Sequence, residues 1–267
     1  MKASGDYLNE IKVLFAELAG GRQEYDFQPP AFASHVKKYS ADPERLKNYA
    51  KQVIGARIMI FLAFSRMNTQ VLLETYLLGA EATNPFAMLL ATRSQLELLA
   101  VVADTTRVIK ENSGEQADNF VARVRTVDEA LINATFGTRS SVVKDLMSKI
   151  GVSRLGITTE TDYSVLTSKN VLTRLERLSK SSVYPECKAD YELLCEYVHP
   201  NYGMNMLHVV ASPINPKFLR FSLTSREPFE RALKISAMAM ARASRATAAV
   251  MDEIQPPFGV GTVRYFA

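Results

Sequence analysis

Three dipeptides, Asp42-Pro43, Asn84-Pro85 and Glu227-Pro228, constrain this chain more than any other feature in it. In each, an acidic or amide side chain able to accept backbone N–H groups stands before a proline. The proline ring suits the first turn of a helix and lacks the N–H that a strand ladder or a helix interior needs. A long apolar period of 3.6 follows each one. The first pattern runs from Pro43 to about Leu78, with a bend expected at Gly55 and a stop at Gly79. The second runs from Pro85 to about Lys110, with Leu89, Leu90, Leu96, Leu99 and Val102 at core spacing. The third runs to about Ile254 and is rich in alanine and methionine. Segments of this length and period predict an all-α fold, an antiparallel helical bundle.

Shorter signals fill in the remainder. Ser4 and Asp6 can cap a first helix to about Leu18, closed by Gly20 and Gly21. Gln23 to Tyr39 reads as a loop holding Pro29-Pro30 and an exposed His35. Further helices are expected over Gln116–Ala134, Ser140–Ile150 and Tyr163–Ser179, with a loop over Gly151–Asp162. Pro185 opens another helix. Met204–Val210 is apolar and ambiguous in type. Lys217–Thr224 alternates like a strand and could pair with Leu207–Ala211 across the Pro213–Pro216 turn. These elements form one expected domain over residues 1–254, followed by a tail over 255–267 that contains two prolines and two glycines.

Composition narrows the function classes. The chain of 267 residues is 47% apolar, enough for an ample core, and its 32 basic and 28 acidic residues leave a net charge of +4. That balance does not by itself imply nucleic acid. The most apolar region, Val53–Leu78, is interrupted by Arg57, Arg66, Asn68, Gln70 and Glu74, so no membrane span is expected there. The N-terminus carries no secretion signal. Cys187 and Cys195 sit eight apart on one predicted helix, too far to bridge, which fits a reducing cytoplasm. Three scattered histidines give no metal-ligand pattern, and there is no phosphate-binding glycine loop. No metal or cofactor is expected.

The stretch Tyr191–Gly203, YELLCEYVHPNYG, gathers polar groups at a helix stop. Pro200 disfavours helical geometry at His199, so the helix should end at Val198 or His199. Glu192, Glu196 and His199 share a face, and Asn201, Tyr202 and Gly203 turn the chain. Upstream, Arg93 and Glu97 form an i, i+4 pair on the second long helix. Such a pair is more often structural than catalytic.

The ATRSQLELLA helix together with YELLCEYVHPNYG resembles the HEPN superfamily, over roughly Asn84 to Val210. The resemblance implies a helical bundle, often dimeric, and in many members a metal-independent ribonuclease of toxin–antitoxin or antiviral defence systems. Other members only bind nucleotide, RNA or protein. Catalytic members carry an arginine shortly before the histidine. This chain has Leu193, Leu194, Cys195 and Glu196 there, and Arg93 from the neighbouring helix is the expected substitute. On that reading His199 moves protons and Arg93 holds phosphate. Asn201 and Tyr202 contact substrate, while Glu97 and Glu196 orient the catalytic pair. The partners expected are RNA or nucleotide, a neutralising or effector protein, and a second copy of the chain. The dimer contact is expected at the methionine–alanine face of Ile235–Met251. The rival expectations are a non-catalytic binding module and a structural oligomerisation protein.

Overall fold

The computed structural model describes residues 4–21, 24, 43–112, 120–138, 140–142, 167–200, 202–215, 217–222 and 225–254, with the backbone alone for 43, 45–53 and 121. The expected loop over Gln23–Tyr39 with His35, the loop over 151–162 and the tail over 255–267 lie outside the described residues apart from Glu24, as does nearly all of the expected short helix over 140–150.

The protein is mostly helical, as the proline-led patterns predict. The helices are α1 (Ser4–Ala19), α2 (Pro43–Glu81), α3 (Pro85–Asn112), α4 (Phe120–Phe136), α5 (Val171–Ser179), α6 (Cys187–Val198), α7 (Tyr202–Leu207) and α8 (Glu227–Asp252). Before α8 stands an antiparallel hairpin of β1 (Val209–Ala211) and β2 (Leu219–Phe221), within the two segments whose pairing the sequence suggests. The ambiguous segment 204–210 divides between α7 and β1. The residues group into two compact units. The first takes 1–21, 66–100 and 175–248; the second takes 22–65, 101–174 and 249–267. Helices α2, α3 and α8 contribute to both.

In the first unit, Ile11, Leu73, Tyr76, Met88, Ala91, Met240 and Ala241 form one buried cluster drawn from α1, α2, α3 and α8. Met240 and Ala241 are the α8 members of that cluster, and Ala232, Ser236, Ala239 and Ala243, all buried, line one face of α8 with small side chains. Small side chains let neighbouring helices approach closely. Two buried hydrogen bonds then fix their register. Ser236 Oγ donates to Ala232 O at 2.7 Å, so its single proton is used and Tyr76 must donate the 3.1 Å bond between them. By the same logic Thr247, which donates to Ala243 O, accepts the 3.0 Å bond from Gln95 Nε2. Burial, partly offset by Ser236, pushes the Tyr76 phenol up to about 12. Within the expected methionine–alanine contact stretch, Met240 and Met251 are buried in the chain while Ile235 and Met238 are half-buried.

The α2–α3 turn departs from its expected form. Gly79 does not end α2, which continues to Glu81. A Cβ at Gly79 would stand 3.1 Å from Ala87 Cβ and 3.2 Å from the Met88 backbone, so glycine there serves the close approach of α3. The chain turns instead at Thr83, in the left-handed region with φ 51°. Asn84 then caps α3 as expected, its Oδ1 accepting the Ala87 N–H at 3.1 Å.

The second unit adds buried charges to an apolar core that includes Ile54, Ile58, Phe61, Val127, Leu131 and Ile132. Arg57 of α2 and Asp128 of α4, both buried, form an ion pair. Burial raises the Asp128 carboxyl to about 6 against the opposing pull of Arg57. Asp104 of α3 pairs with Arg107 at 2.9 Å and Arg174 at 3.7 Å. Arg174 also donates to Asn133 Oδ1 at 2.9 Å, and Asn133 donates to Thr167 O at 2.8 Å. Thr167 bridges to Thr138, so residues 167–170 are not helical as expected and α5 starts at Val171, with Asn170 Oδ1 accepting the Leu172 N–H at 3.0 Å; residues 163–166 of that expected helix lie outside the described residues. Among the described residues α3 is long and apolar enough to cross a membrane by composition. Half of its apolar window is buried in the fold, and the core helix of a globular protein passes the same test.

Two stability measurements check this account. Thr83→Asn should stabilise the protein by about 1 kcal/mol, because asparagine tolerates the left-handed region that a β-branched residue resists; an unchanged or lower melting temperature would contradict the strain. Arg57→Met should destabilise by about 3–5 kcal/mol at neutral pH, where Asp128 loses the partner that favours its charged form and must stay buried unpaired or take up a proton. The loss should shrink at pH 5, below the folded-state value for Asp128, where the carboxyl takes up a proton and less charge is left unpaired. Denaturant titrations at the two pH values read the difference.

Candidate functional site

On α3, Phe86, Leu90, Arg93 and Glu97 follow i, i+4, i+7 and i+11 and share a face. Tyr191, buried in the first turns of α6, meets the polar end of that face. Its hydroxyl donates to Glu97 Oε1 at 2.9 Å and accepts from Arg93 Nη2 at 3.1 Å. The same Nη2 lies 3.1 Å from Glu97 Oε1, closing a three-membered ring of polar contacts. The guanidinium carbon stands 5.3 Å from the centre of the Tyr191 ring. Arg93 Nε is buried and has no hydrogen-bond partner among the described residues.

The electrostatics follow from this packing. Burial pulls the Arg93 pKa down, but the Tyr191 hydrogen bond and the neighbouring Glu97, Tyr191 and Cys195 outweigh it and raise the value. Burial, with Glu97 adding to it and Arg93 opposing it, pushes the Tyr191 phenol up to about 12. The phenol is therefore a proton donor at neutral pH, not a base. Glu97 offsets the guanidinium charge, and its contact and that of Tyr191 both fall on the one nitrogen Nη2.

His199 stands elsewhere on α6. It is the C-cap, with extended backbone (φ −94°, ψ 150°) and its N–H donating to Cys195 O at 3.2 Å. This is the helix end that Pro200 imposes. Eight residues of helix put roughly 12 Å of axial rise and about 80° of rotation between Tyr191 and His199. The exposed imidazole makes no hydrogen bond or ion pair among the described residues, and none joins it to Arg93. Tyr202, the first residue of α7, is 75% exposed. Gly203 backs onto the last turn of α6, where a Cβ would fall 2.4 Å from Glu196 O. Glu196 is exposed on α6, and Asn201 lies outside the described residues.

The structure thus brings Arg93 and Glu97 together and adds Tyr191, which sequence reasoning had left as the mere start of a motif. Its contact with Arg93 spans 98 residues, beyond any local spacing rule. The one signal was the helical phase that buries Tyr191, Leu194 and Val198 on a single face. Among the described residues no group of three or more histidine, cysteine, aspartate or glutamate side chains is placed to hold a metal ion. Comparison of the chain with protein-family models, with curated proteins and with solved structures finds no match.

Tyr191→Phe should destabilise the fold by about 1–2 kcal/mol at neutral pH, since it leaves Glu97 and Arg93 each short of a partner. In the wild type the folded phenol titrates above its unfolded value. Its contribution is fully present below pH 10 and is lost as pH rises toward 12. The variant should lose less stability over that interval, a difference readable by chemical denaturation at the two limits.

Proposed function

We propose that this chain is a HEPN-like module of a bacterial defence or toxin system that acts by binding a protein partner and does not cleave RNA. The observation that supports this most is the commitment of Arg93. A metal-independent ribonuclease needs a cation free to meet developing phosphate charge beside a proton-transfer group. Arg93 is held by Glu97 and Tyr191, and among the described residues no hydrogen bond or ion pair couples it to His199. A second observation favours a protein over RNA as partner. The exposed face of α2 between residues 66 and 81 carries Met67, Val71 and Leu78 beside Asn68, Glu74, Thr75 and Glu81. It has apolar surface and acidic charge, with no exposed lysine or arginine to hold phosphate.

The ribonuclease reading keeps one observation in its favour, the exposure of His199 and Tyr202 around the α6–α7 junction. The two readings separate in one assay. The full chain is incubated with single-stranded RNA in the presence of chelator, beside His199→Ala and Arg93→Lys, with melting temperatures measured in parallel. No cleavage above background is expected from any of the three. RNA cleavage by the wild type that disappears in a folded His199→Ala protein would replace the binding reading with the catalytic one.

A further inference from the structure

The β1–β2 hairpin is anchored at one end and bare at the other. On β1, Val209 and Val210 are buried. Arg231 of α8 donates from Nη1 to Met206 O at 3.0 Å and to Val209 O at 2.5 Å, which ties the base of the hairpin to the last helix. From Lys217 to Phe221, by contrast, every residue is exposed. Phe218 is 57%, Leu219 71% and Phe221 64% exposed, and Ile214 in the turn is 84% exposed. Single apolar residues at a surface are ordinary, but four within residues 214–221 form a patch. The register sets Phe221 opposite Val209 and Leu219 opposite Ala211, so Leu219 and Phe221 share one face of the ladder. Arg220, opposite Val210, lies on the other face.

The charge around this tip has one sign. No aspartate or glutamate occurs between Glu196 and Glu227. Lys217, Arg220 and Arg226 are exposed and form no ion pair among the described residues. Glu227, the first acidic residue after the hairpin, is engaged by Arg231 at 3.4 Å. The tip therefore combines bare apolar groups with uncompensated cations, the pair of signals that together hold a protein on an anionic lipid surface.

The distribution of these groups separates a lipid surface from a protein one. A folded partner covers one side of what it binds. Here the apolar side chains occupy the turn and one face of β2, while a cation stands on the opposite face. A bilayer interface surrounds an inserted tip and takes up all of them. We propose that the turn end of the hairpin docks on an anionic phospholipid bilayer, with Ile214, Phe218, Leu219 and Phe221 entering the interface and Lys217 and Arg220 meeting headgroup phosphates. Entry by about 5–10 Å takes in the turn and the start of a strand that rises about 3.3 Å per residue. The long basic side chains reach back to the headgroups while their stems stay in apolar surroundings. The turn enters with amides already bonded: Ile214 N–H to Ser212 Oγ at 3.3 Å, Lys217 N–H to Asn215 Oδ1 at 2.9 Å and Phe218 N–H to Asn215 O at 2.9 Å. This does not rest on the partner-binding reading above, which concerns α2.

The test is sedimentation of the full chain with vesicles of phosphatidylcholine alone and with vesicles that also carry phosphatidylglycerol. The wild type should pellet with the second kind and stay in solution with the first. Lys217→Ala and Arg220→Ala should each weaken binding about fivefold. The double variant Phe218→Ser with Leu219→Ser should weaken it at least about tenfold while keeping the helical circular dichroism of the wild type. Depth is read without those variants, because the chain contains no tryptophan and a single one reports from its own position. On anionic vesicles, Leu219→Trp should shift its emission to the blue and be quenched by lipids brominated in the acyl chain. Leu78→Trp, at an exposed position of α2, should do neither. A wild type that pellets with neither vesicle overturns the proposal, as do equal binding to both kinds, wild-type binding by the folded double variant and the same emission at the two tryptophan positions. Capture by single-stranded RNA with none by vesicles would assign the tip to nucleic acid and overturn it too.

Discussion

The first unit depends on how closely α8 can lie against α2 and α3, and that depends on the small side chains along one of its faces. Alanine packs well but directs poorly. A smooth face would let α8 slide by a turn at little loss of contact. The Tyr76–Ser236 and Gln95–Thr247 hydrogen bonds remove that freedom, because each buried donor finds its acceptor in one register alone. Dispersion and area hold the helices together, and two polar contacts decide where they sit. The buried serines and threonines of α8 are therefore part of the specification of the core.

The second unit, which has an apolar core of its own, sets its register with charge as well. Arg57–Asp128 and Asp104–Arg174 are largely removed from water, so each contact must recover the hydration it displaces. Such pairs add little net stability compared with apolar groups of similar volume. They do penalise any misaligned arrangement heavily, since each would leave a charge buried alone. The contrast between the units matches their sequences: α8 supplies alanine to the first, while α4 and the start of α5 supply Asp128, Asn133 and Arg174 to the second.

Much of the fold was legible because it rests on local physics. Proline at a first turn, a side-chain cap before it and a period of 3.6 act over a few residues, and they placed α2, α3, α8 and the end of α6 nearly where they lie. The alternation of 217–224 placed the hairpin for the same reason. The failures are tertiary. Gly79 looks like a helix stop and serves helix contact instead. The helical pattern expected through residues 167–170 gives way because Thr167 is taken by Asn133 and Thr138. The candidate site divides in the same way. The Arg93–Glu97 pair is a neighbour relation on one helix and was readable. Its third member, Tyr191, comes from another helix and was not. The distance between Arg93 and His199 likewise turns on the placement of α3 against α6, which no spacing within either helix encodes.

The tight turn at residues 82–84 also bears on the order in which the parts assemble. Helices α2 and α3 meet through a connection of three residues, so their contacts close short loops at small entropic cost. The bonds from α8 to the same helices span 160 and 152 residues. During synthesis the α2–α3 hairpin can form long before residues 227–252 exist to cover it. For that interval Tyr76, Met88 and Gln95 face water with their eventual partners still unmade. A nascent chain of this design presents an apolar helical hairpin to whatever surrounds the ribosome, and its last long helix is what hides that surface.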